Sequence, residues 1–593
     1  MGTRLGAGVR LVIASGALIM AGTGRRYMGA SVAATGTLPE ILTPAEKAKC
    51  LGVFYTDARV ADFLVGWAVR TAQDTALDPS FGGGAFLRAA CERINALGGD
   101  PASQVLGVEI DPDVHRRVSA ELASAFGLTN GHLILSDFFG TDVETVGCVD
   151  AVVGNPPFVR YHRFTGESRA IALRKAAEQK VRLSRLTSSW APFLVHSCSM
   201  IRRGGRLAMV VPMEIAYASY ARPVLDYLAR SFARVTFLTF RKKLFPDLSE
   251  DTLLLLAEGR GESPRGFFWR DLADAEALRS LGAADRPRLR ALDRLDVQGF
   301  CQGSQRLMEC WVPKKARDLY RSLRQGGLAT RLGDIAQVGI GYVTGANEFF
   351  HLSHGEIARW GIPDDLLQPA VRRGRSLSGL RFTREDWHSA IRAGEAAFLL
   401  LIEGRKTELP AGVRQYLVHG EEQGVHKTFK CRTRSPWYSV PHVFVPDAFL
   451  TYMSGVFPRL VANDARVVAP NSLHVLRMRP LSGFSSHALA ALWQTALTGL
   501  SVEIEGHSLG GGMLKMEPTE AENVLVPATR VGQSELISLA RELDILVRGG
   551  QESAAQALAD KALLVDGLGL GPSDCGLLRD ATRLLRQRRY SRA

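Results

Sequence analysis

No two of the eight cysteines (Cys50, Cys91, Cys148, Cys198, Cys301, Cys310, Cys431 and Cys575) form a Cys-x-x-Cys pair. Scattered cysteines of this kind are the usage of a reduced, cytoplasmic protein, and they exclude a disulfide framework and a cysteine zinc site. No metal is expected. Apolar runs long enough to cross a bilayer are lacking too, so no membrane partner is expected. Residues 11–20, behind Arg4 and Arg10, mimic a short signal peptide. Secretion fits poorly with the site argued below. We therefore read residues 1–40 as a poorly structured or mis-assigned leader, with Met28 as an alternative start and a cleaved signal as the competing reading. Truncation before about Thr37 is expected to leave folding and activity intact. Also missing are the Gly-x-Gly-x-x-Gly fingerprint, a Walker lysine, internal repeats and a nuclease constellation. Dinucleotide binding and phosphate cradling lose their usual carriers.

What is present is ordinary in bulk and specific in detail. At 593 residues the chain is too long for one core, and two or three domains are expected. Its 46% hydrophobic and 22% charged content is that of a globular protein. Lys+Arg exceed Asp+Glu by 73 to 60, a net +13 that favours an anionic partner.

The stretch that organises the chain is Asp150-Ala151-Val152-Val153-Gly154-Asn155-Pro156-Pro157-Phe158. An apolar run reads as a buried strand, and the two prolines behind it stiffen the turn and remove two N–H donors. The strand tip is left with acceptors, the Asn155 amide oxygen and the Pro156 carbonyl, beside the aromatic face of Phe158. Such a tip suits a planar ring bearing an exocyclic amine. A bare proline-stiffened loop is the bland alternative, and the surrounding sequence argues against it.

Upstream, residues 57–68 keep apolar positions at helical spacing, with Thr56 or Asp57 able to cap the start. Residues 76–90 read as a strand end, a glycine cluster and a helix, whose glycines let backbone approach a ligand at a helix N-terminus. Residues 105–111 form a second strand ending in Glu109, suited to two ribose hydroxyls, and in Asp111, better suited to capping the next helix. Residues 133–139 form a third strand ending in Asp137, which can accept from an adenine amine with Phe138 against the ring. A helix from Ser188, strands at 207–212, 235–240 and 252–257, and the basic-aromatic loop 242–247 follow. The β/α alternation to about residue 258 predicts an α/β doubly wound sheet with its ligands at the carboxyl ends of the strands.

Taken in order, Tyr-Thr-x-x-x-Val-Ala (55–61), the glycine turn, Val-Glu-Ile-Asp (108–111), Asp-Phe-Phe (137–139) and Asn-Pro-Pro-Phe (155–158) resemble the gamma class of adenine-amino DNA methyltransferases of restriction–modification and phage-defence systems. The resemblance covers about residues 50–260 well and the remainder more loosely. It implies a class I S-adenosylmethionine-dependent methyltransferase fold, Rossmann-like, followed by a mixed α+β target-recognition domain. It also implies S-adenosyl-L-methionine as cofactor, held by Thr56, Asp78, Ser80, Gly82, Glu109, Ile110, Asp137, Phe138 and Phe193. Asn155, Pro156 and Phe158 become the catalytic turn, with Phe158 and Phe245 on the two faces of the target base. Phe158 stands where tyrosine is usual, which keeps the ring face and loses only the hydroxyl. The implied partners are double-stranded DNA and a cognate restriction endonuclease or other defence-system subunits.

Domains are expected at 1–40 (leader), 41–260 (catalytic), 261–300 (linker), 301–530 (target recognition) and 531–593 (helical, with a basic tail). Residues 339–350 look like a turn-rich opening of the recognition domain. Residues 371–375 and 427–434, the latter followed by Trp437 and Tyr438, read as phosphate-contacting surfaces, with solvated arginines as the alternative. Residues 458–461, 469–476 and 505–515 continue the resemblance, and the glycines of the last stretch let backbone approach DNA. Isolated His474 and His507 read as structural or DNA-contacting. Leu536, Leu539, Leu543 and Leu546 share a helical face, and Arg583, Arg586, Arg588 and Arg589 make a tail read as a phosphate arm or a solvated end. Two other functions use similar features: an RNA or protein-glutamine amide methyltransferase with the same Asn-Pro-Pro-aromatic turn, and a catalytically inactive DNA-specificity module. The three hundred or so residues after the catalytic region favour DNA over the first. The filled donor-site motifs weaken the second.

Overall fold

The computed structural model describes residues 56–129, 131–245, 251–283, 286–287 and 292–591. The expected leader and Tyr55 lie outside the described residues.

Short apolar runs form the strands β1 (Ala76–Asp78), β2 (Val105–Glu109), β3 (Leu133–Leu135), β4 (Val149–Gly154), β5 (Ile201–Pro212), β6 (Phe232–Phe240), β7 (Thr252–Arg260), β8 (Gly266–Leu272) and β9 (Asp293–Leu295). They make one nine-stranded sheet in the order β9-β8-β6-β7-β5-β4-β1-β2-β3. Strands β3, β2, β1, β4 and β5 are mutually parallel. β7 runs antiparallel between β5 and β6. Strand order reverses between β1 and β4, the switch point at which open α/β sheets bind ligands beyond their carboxyl ends. Every residue of β4 is buried, as helices on both faces require.

Two expectations need correction here. The sheet does not end at 257, and residues 261–300 are not a plain linker. β8 runs parallel to β6, and β9 pairs antiparallel with β8. Phe267, Trp269 and Leu272 are buried while Phe268, Arg270 and Asp271 are half-buried. That near-alternation marks an outer strand, and in a stretch rich in charge it does not stand out as an apolar run.

Beyond residue 300 a second sheet contains β10 (Ala336–Ile340), β11 (Arg381–Phe382), β12 (Ala448–Thr451), β13 (Leu460–Asn463) and β14 (Leu473–Met478), in the order β10-β14-β12-β13-β11. On helix Gln533–Arg548, Leu536, Leu539 and Leu543 are buried as their spacing predicts. Trp311, Tyr320, Leu497 and Leu578 share a single core with Leu77, Val152 and Phe237 of the first sheet. The two halves are therefore packed as one body.

In the arginine-rich tail Arg583 is solvated, but Arg588 and Arg589 belong neither to a free arm nor to a solvated end. The tail closes helix Pro572–Ser591. Arg588 pairs with Asp271 at 2.7 Å, donates to the Phe240 carbonyl at 2.6 Å, and lies 4.0 Å over the Trp311 ring. Arg589 pairs with Glu503 at 3.0 Å. Burial with carboxylate partners explains the difference, since a charge this deep must be paired. The aromatics after 434 are also internal: Tyr438 is buried, and Trp437 packs on the same core and donates to Glu421 at 3.1 Å. Among the described residues no helix is long and apolar enough to cross a membrane.

Candidate active site

The carboxyl ends of β1, β2, β3 and β4 surround a pocket of about 420 Å³. Three acidic residues at the tips of β1 and β2 are each held differently, and of these Glu109 lines the pocket. At the tip of β2, the Glu109 carboxylate accepts from the backbone N–H groups of Gly82, Ile110 and Asp111, each at 2.9 Å. The glycine turn is thereby laced to the second strand, leaving the carboxylate little unused capacity. Asp111 caps helix Pro112–Phe126, accepting from Asp113 and Val114, as its position suggests. At the tip of β1, Asp78 is fully buried; one oxygen accepts from the Ser80 N–H at 3.0 Å and the other has no partner among the described residues. Burial first, and the Glu109 charge second, push its carboxyl up to about 8. A Cβ at Gly154 would stand 3.0 Å from Asp78 Oδ1, so β4 approaches β1 closely here.

Asp137 ends the third strand region and accepts from the Phe139 N–H at 3.0 Å, fixing the short turn Phe138–Gly140. That turn aims Phe138 at Phe193, whose ring centroid is 4.7 Å away. Together with Phe139 and Phe164 they give the pocket aromatic walls.

The Asn-Pro-Pro-Phe turn forms the opposite rim. The Asn155 amide nitrogen donates to Thr56 Oγ1 at 3.4 Å. Its amide oxygen is buried and has no hydrogen-bond partner among the described residues. Ser189, at the start of helix Trp190–Ser199, clamps the turn from behind: its hydroxyl donates to the Pro157 carbonyl at 2.5 Å and accepts from the Val159 N–H at 2.9 Å. The Asn155 amide oxygen keeps its capacity to accept a hydrogen bond.

Residues 41–245 match the model of the N-6 DNA Methylase family, and residues 304–564 match that of the C-terminal domain of the Type II methyltransferase M.Eco57I. These matches make the chain a DNA methyltransferase of restriction–modification type. It is 21% identical over 481 residues to the Type II methyltransferase M.AccI of Acinetobacter calcoaceticus, covering 80% of this chain and 85% of that one. It is 24% identical over 502 residues to M.XamI of Xanthomonas campestris pv. amaranthicola, with the same coverage. Among solved structures, the Type IIL restriction-modification enzyme MmeI in complex with DNA shares its fold, with a TM-score of 0.51, 12% identity, and 92% of this chain and 75% of that chain covered. A DrdV–DNA complex aligns with a TM-score of 0.50 at 13% identity over 85% of this chain and 58% of that one.

In this methyltransferase, Thr56, Ser80, Gly82, Glu109, Ile110, Asp137, Phe138, Phe193 and Asn155 all line the pocket. Asp78 is buried and does not line it. Pro156 is buried in the turn, and Phe158 is half-buried between the cores on the two sides of the sheet. Phe245 is buried in one of those cores. Ser189, Phe139 and Phe164 were not singled out from sequence. Ser189 sits thirty residues from the Val159 N–H it accepts from, and a serine before a helix reads only as a cap.

Beyond the turn, a second and larger cleft of about 1010 Å³ is lined by Arg160, Met213, Tyr217, Arg306, Lys515 and Arg588 among others. It lies between the catalytic sheet and the C-terminal half. His507 stacks on Tyr217 there, 5.0 Å between ring centroids and 6° from parallel, and its Nδ1 meets Glu520 at 3.0 Å. His474 is buried, with its Nε2 2.7 Å from the Met516 carbonyl. Among the described residues no cluster of His, Cys, Asp or Glu is arranged to hold a metal.

Proposed function

We propose that the chain transfers a methyl group from S-adenosylmethionine to the exocyclic amine of an adenine swung out of duplex DNA. The observation that carries this is the buried, unpartnered amide oxygen of Asn155 at the rim of the strand-tip pocket. The pocket's residues fit the donor: Glu109 and Asp137 stand at the strand tips that line it, and Phe138 and Phe193 offer faces for a purine. The bound donor supplies an electrophilic methyl group on a sulfonium.

The chain's own residues do the rest. An adenine amine is a poor nucleophile because its lone pair is delocalised into the ring. Asn155 Oδ1 and the Pro156 carbonyl accept from its two N–H groups, favour pyramidalisation, and aim the lone pair along the line of transfer. Phe158, half-buried in the turn, is assigned to one face of the base, where stacking offsets a few kcal/mol of unpairing, while Phe245 stays packed in the core. The gain is mainly one of alignment, and Ser189 and Thr56 hold the turn in register. The C-terminal half is assigned to sequence recognition, in a cytoplasmic system that pairs the methyltransferase with a restriction endonuclease or another defence subunit.

Modification-sensitive sequencing of DNA from cells expressing the protein tests this. Methylated adenines within one short recurrent sequence are expected. Purified protein that modifies RNA or a protein glutamine instead of duplex DNA would favour the amide-methyltransferase reading.

A further inference from the structure

The turn's immediate neighbours form one wall of the large cleft, and that wall is unusual. Arg160, Tyr161 and His162 follow the turn, and Arg182, Ser184 and Leu186 come from the loop leading to Ser189. Leu186 is 63% exposed and Tyr161 45%. Two large apolar side chains exposed together beside cations, on either side of one catalytic turn, differ from the scattered apolar residues of an ordinary surface.

The 182–188 loop is built to present its tip. It leaves a buried Val181, whose N–H donates to the Ala176 carbonyl at 3.0 Å. It closes on itself, with the Thr187 N–H donating to the Ser184 carbonyl at 3.2 Å and the Leu186 N–H donating to Ser184 Oγ at 3.3 Å. It re-enters the core at Thr187, Ser188 and Ser189. Arg182 and Arg185 are exposed, and neither is paired with a carboxylate among the described residues.

We propose that this loop is a DNA finger: Leu186 fills the gap that the extruded adenine leaves in the duplex, and Arg182 holds an adjacent phosphate. Extrusion leaves a partner base unstacked, and an apolar side chain in that space recovers part of the lost stacking. The geometry suits the task because the same Ser189 that ends the loop clamps the Asn-Pro-Pro-Phe turn. Insertion at Leu186 and capture at Asn155 are therefore held at a fixed separation. The exposed Arg182 and Arg185 of this loop, neither of them paired with a carboxylate among the described residues, favour a polyanion, whereas Arg306, Lys515 and Arg588 across the cleft are paired with Glu505, Glu517 and Asp271.

This inference rests on the adenine methyltransferase reading, and the test separates the two. Once sequencing has given the methylated site, kcat/KM is measured on two duplexes, fully paired and abasic opposite the target, and extrusion is read separately from the fluorescence of a duplex carrying 2-aminopurine, which has no 6-amino group to methylate, at the target. Leu186→Ala should lower kcat/KM on paired DNA about tenfold and reduce the fluorescence rise, and should come back to within about threefold of the parental protein on the abasic duplex, where extrusion costs little. Leu186→Met should act like the parental protein. Arg182→Ala should lower the salt-dependence slope of duplex affinity by about one. Parental behaviour of Leu186→Ala on paired DNA, or a deficit that persists on the abasic duplex, would overturn the finger while leaving the enzyme reading intact. A parental protein that methylates no adenine would overturn both. Thermal unfolding of Leu186→Ala controls for misfolding, which an exposed position does not predict.

Discussion

Asp78 is a buried carboxyl at the tip of β1. Burial raises its carboxyl to about 8, well above the value of about 3.9 in an unfolded chain. The sign of the linkage follows: its contribution to stability is complete below the unfolded value and is lost as pH climbs through the folded one. The melting temperature of the ligand-free protein should therefore fall between about pH 4 and pH 8 by more than that of Asp78→Asn, which has no carboxyl to ionise. Parallel melting curves across that window for the two proteins would contradict the assignment. Phe158→Ala should weaken engagement of the flipped base by about 1–3 kcal/mol, a stacking-sized loss, and Phe158→Tyr should be tolerated. At this scale the sequence was most readable. Glu109, Asp137 and Asn155 each end an apolar run, and chain-local patterns carry that information. The orphan oxygens of Asp78 and Asn155 were not readable, because an absence of partners depends on everything that folds around them.

The Asn-Pro-Pro-Phe turn is stiff from its prolines, but the pocket needs it fixed relative to the helix carrying Phe193. Ser189 supplies that link with two hydrogen bonds. Ser189→Ala should cost about 1–3 kcal/mol of stability and slow methyl transfer more than it weakens donor binding. Thermal unfolding and single-turnover rates check this, and an unchanged rate would reduce the clamp to a structural detail. The strands β1, β2 and β4 to β7 were legible because central strands of a covered sheet carry apolar runs, and β3, at the sheet edge, because Leu133–Leu135 is itself apolar. β8 and β9 were not, because an outer strand mixes Phe267 and Trp269 with Arg270 and Asp271 and so resembles a polar linker. In the basic-aromatic stretch around 427–438, Trp437 and Tyr438 serve the core, while Lys427, Phe429, Lys430 and Arg432 are exposed.

Across the whole molecule the two halves depend on one another. Arg588 joins the last helix to Asp271 of the catalytic sheet, with both side chains nearly buried. Arg588→Ala leaves that carboxylate without its principal cation and should cost about 3–5 kcal/mol in denaturant unfolding. A loss under about 1 kcal/mol would show that the pair is incidental. The contact spans 317 residues of sequence, which is why an arginine-rich end read as a loose arm. Duplex affinity should fall steeply with salt through counterion release. The central claim is that Asn155 presents its amide oxygen to the target amine, and one comparison tests it most directly: equilibrium binding of S-adenosylmethionine beside single-turnover methylation of duplex DNA, for the parental protein and Asn155→Ala. The account predicts donor binding nearly unchanged and methyl transfer abolished. Methylation by Asn155→Ala at close to the parental rate would contradict it.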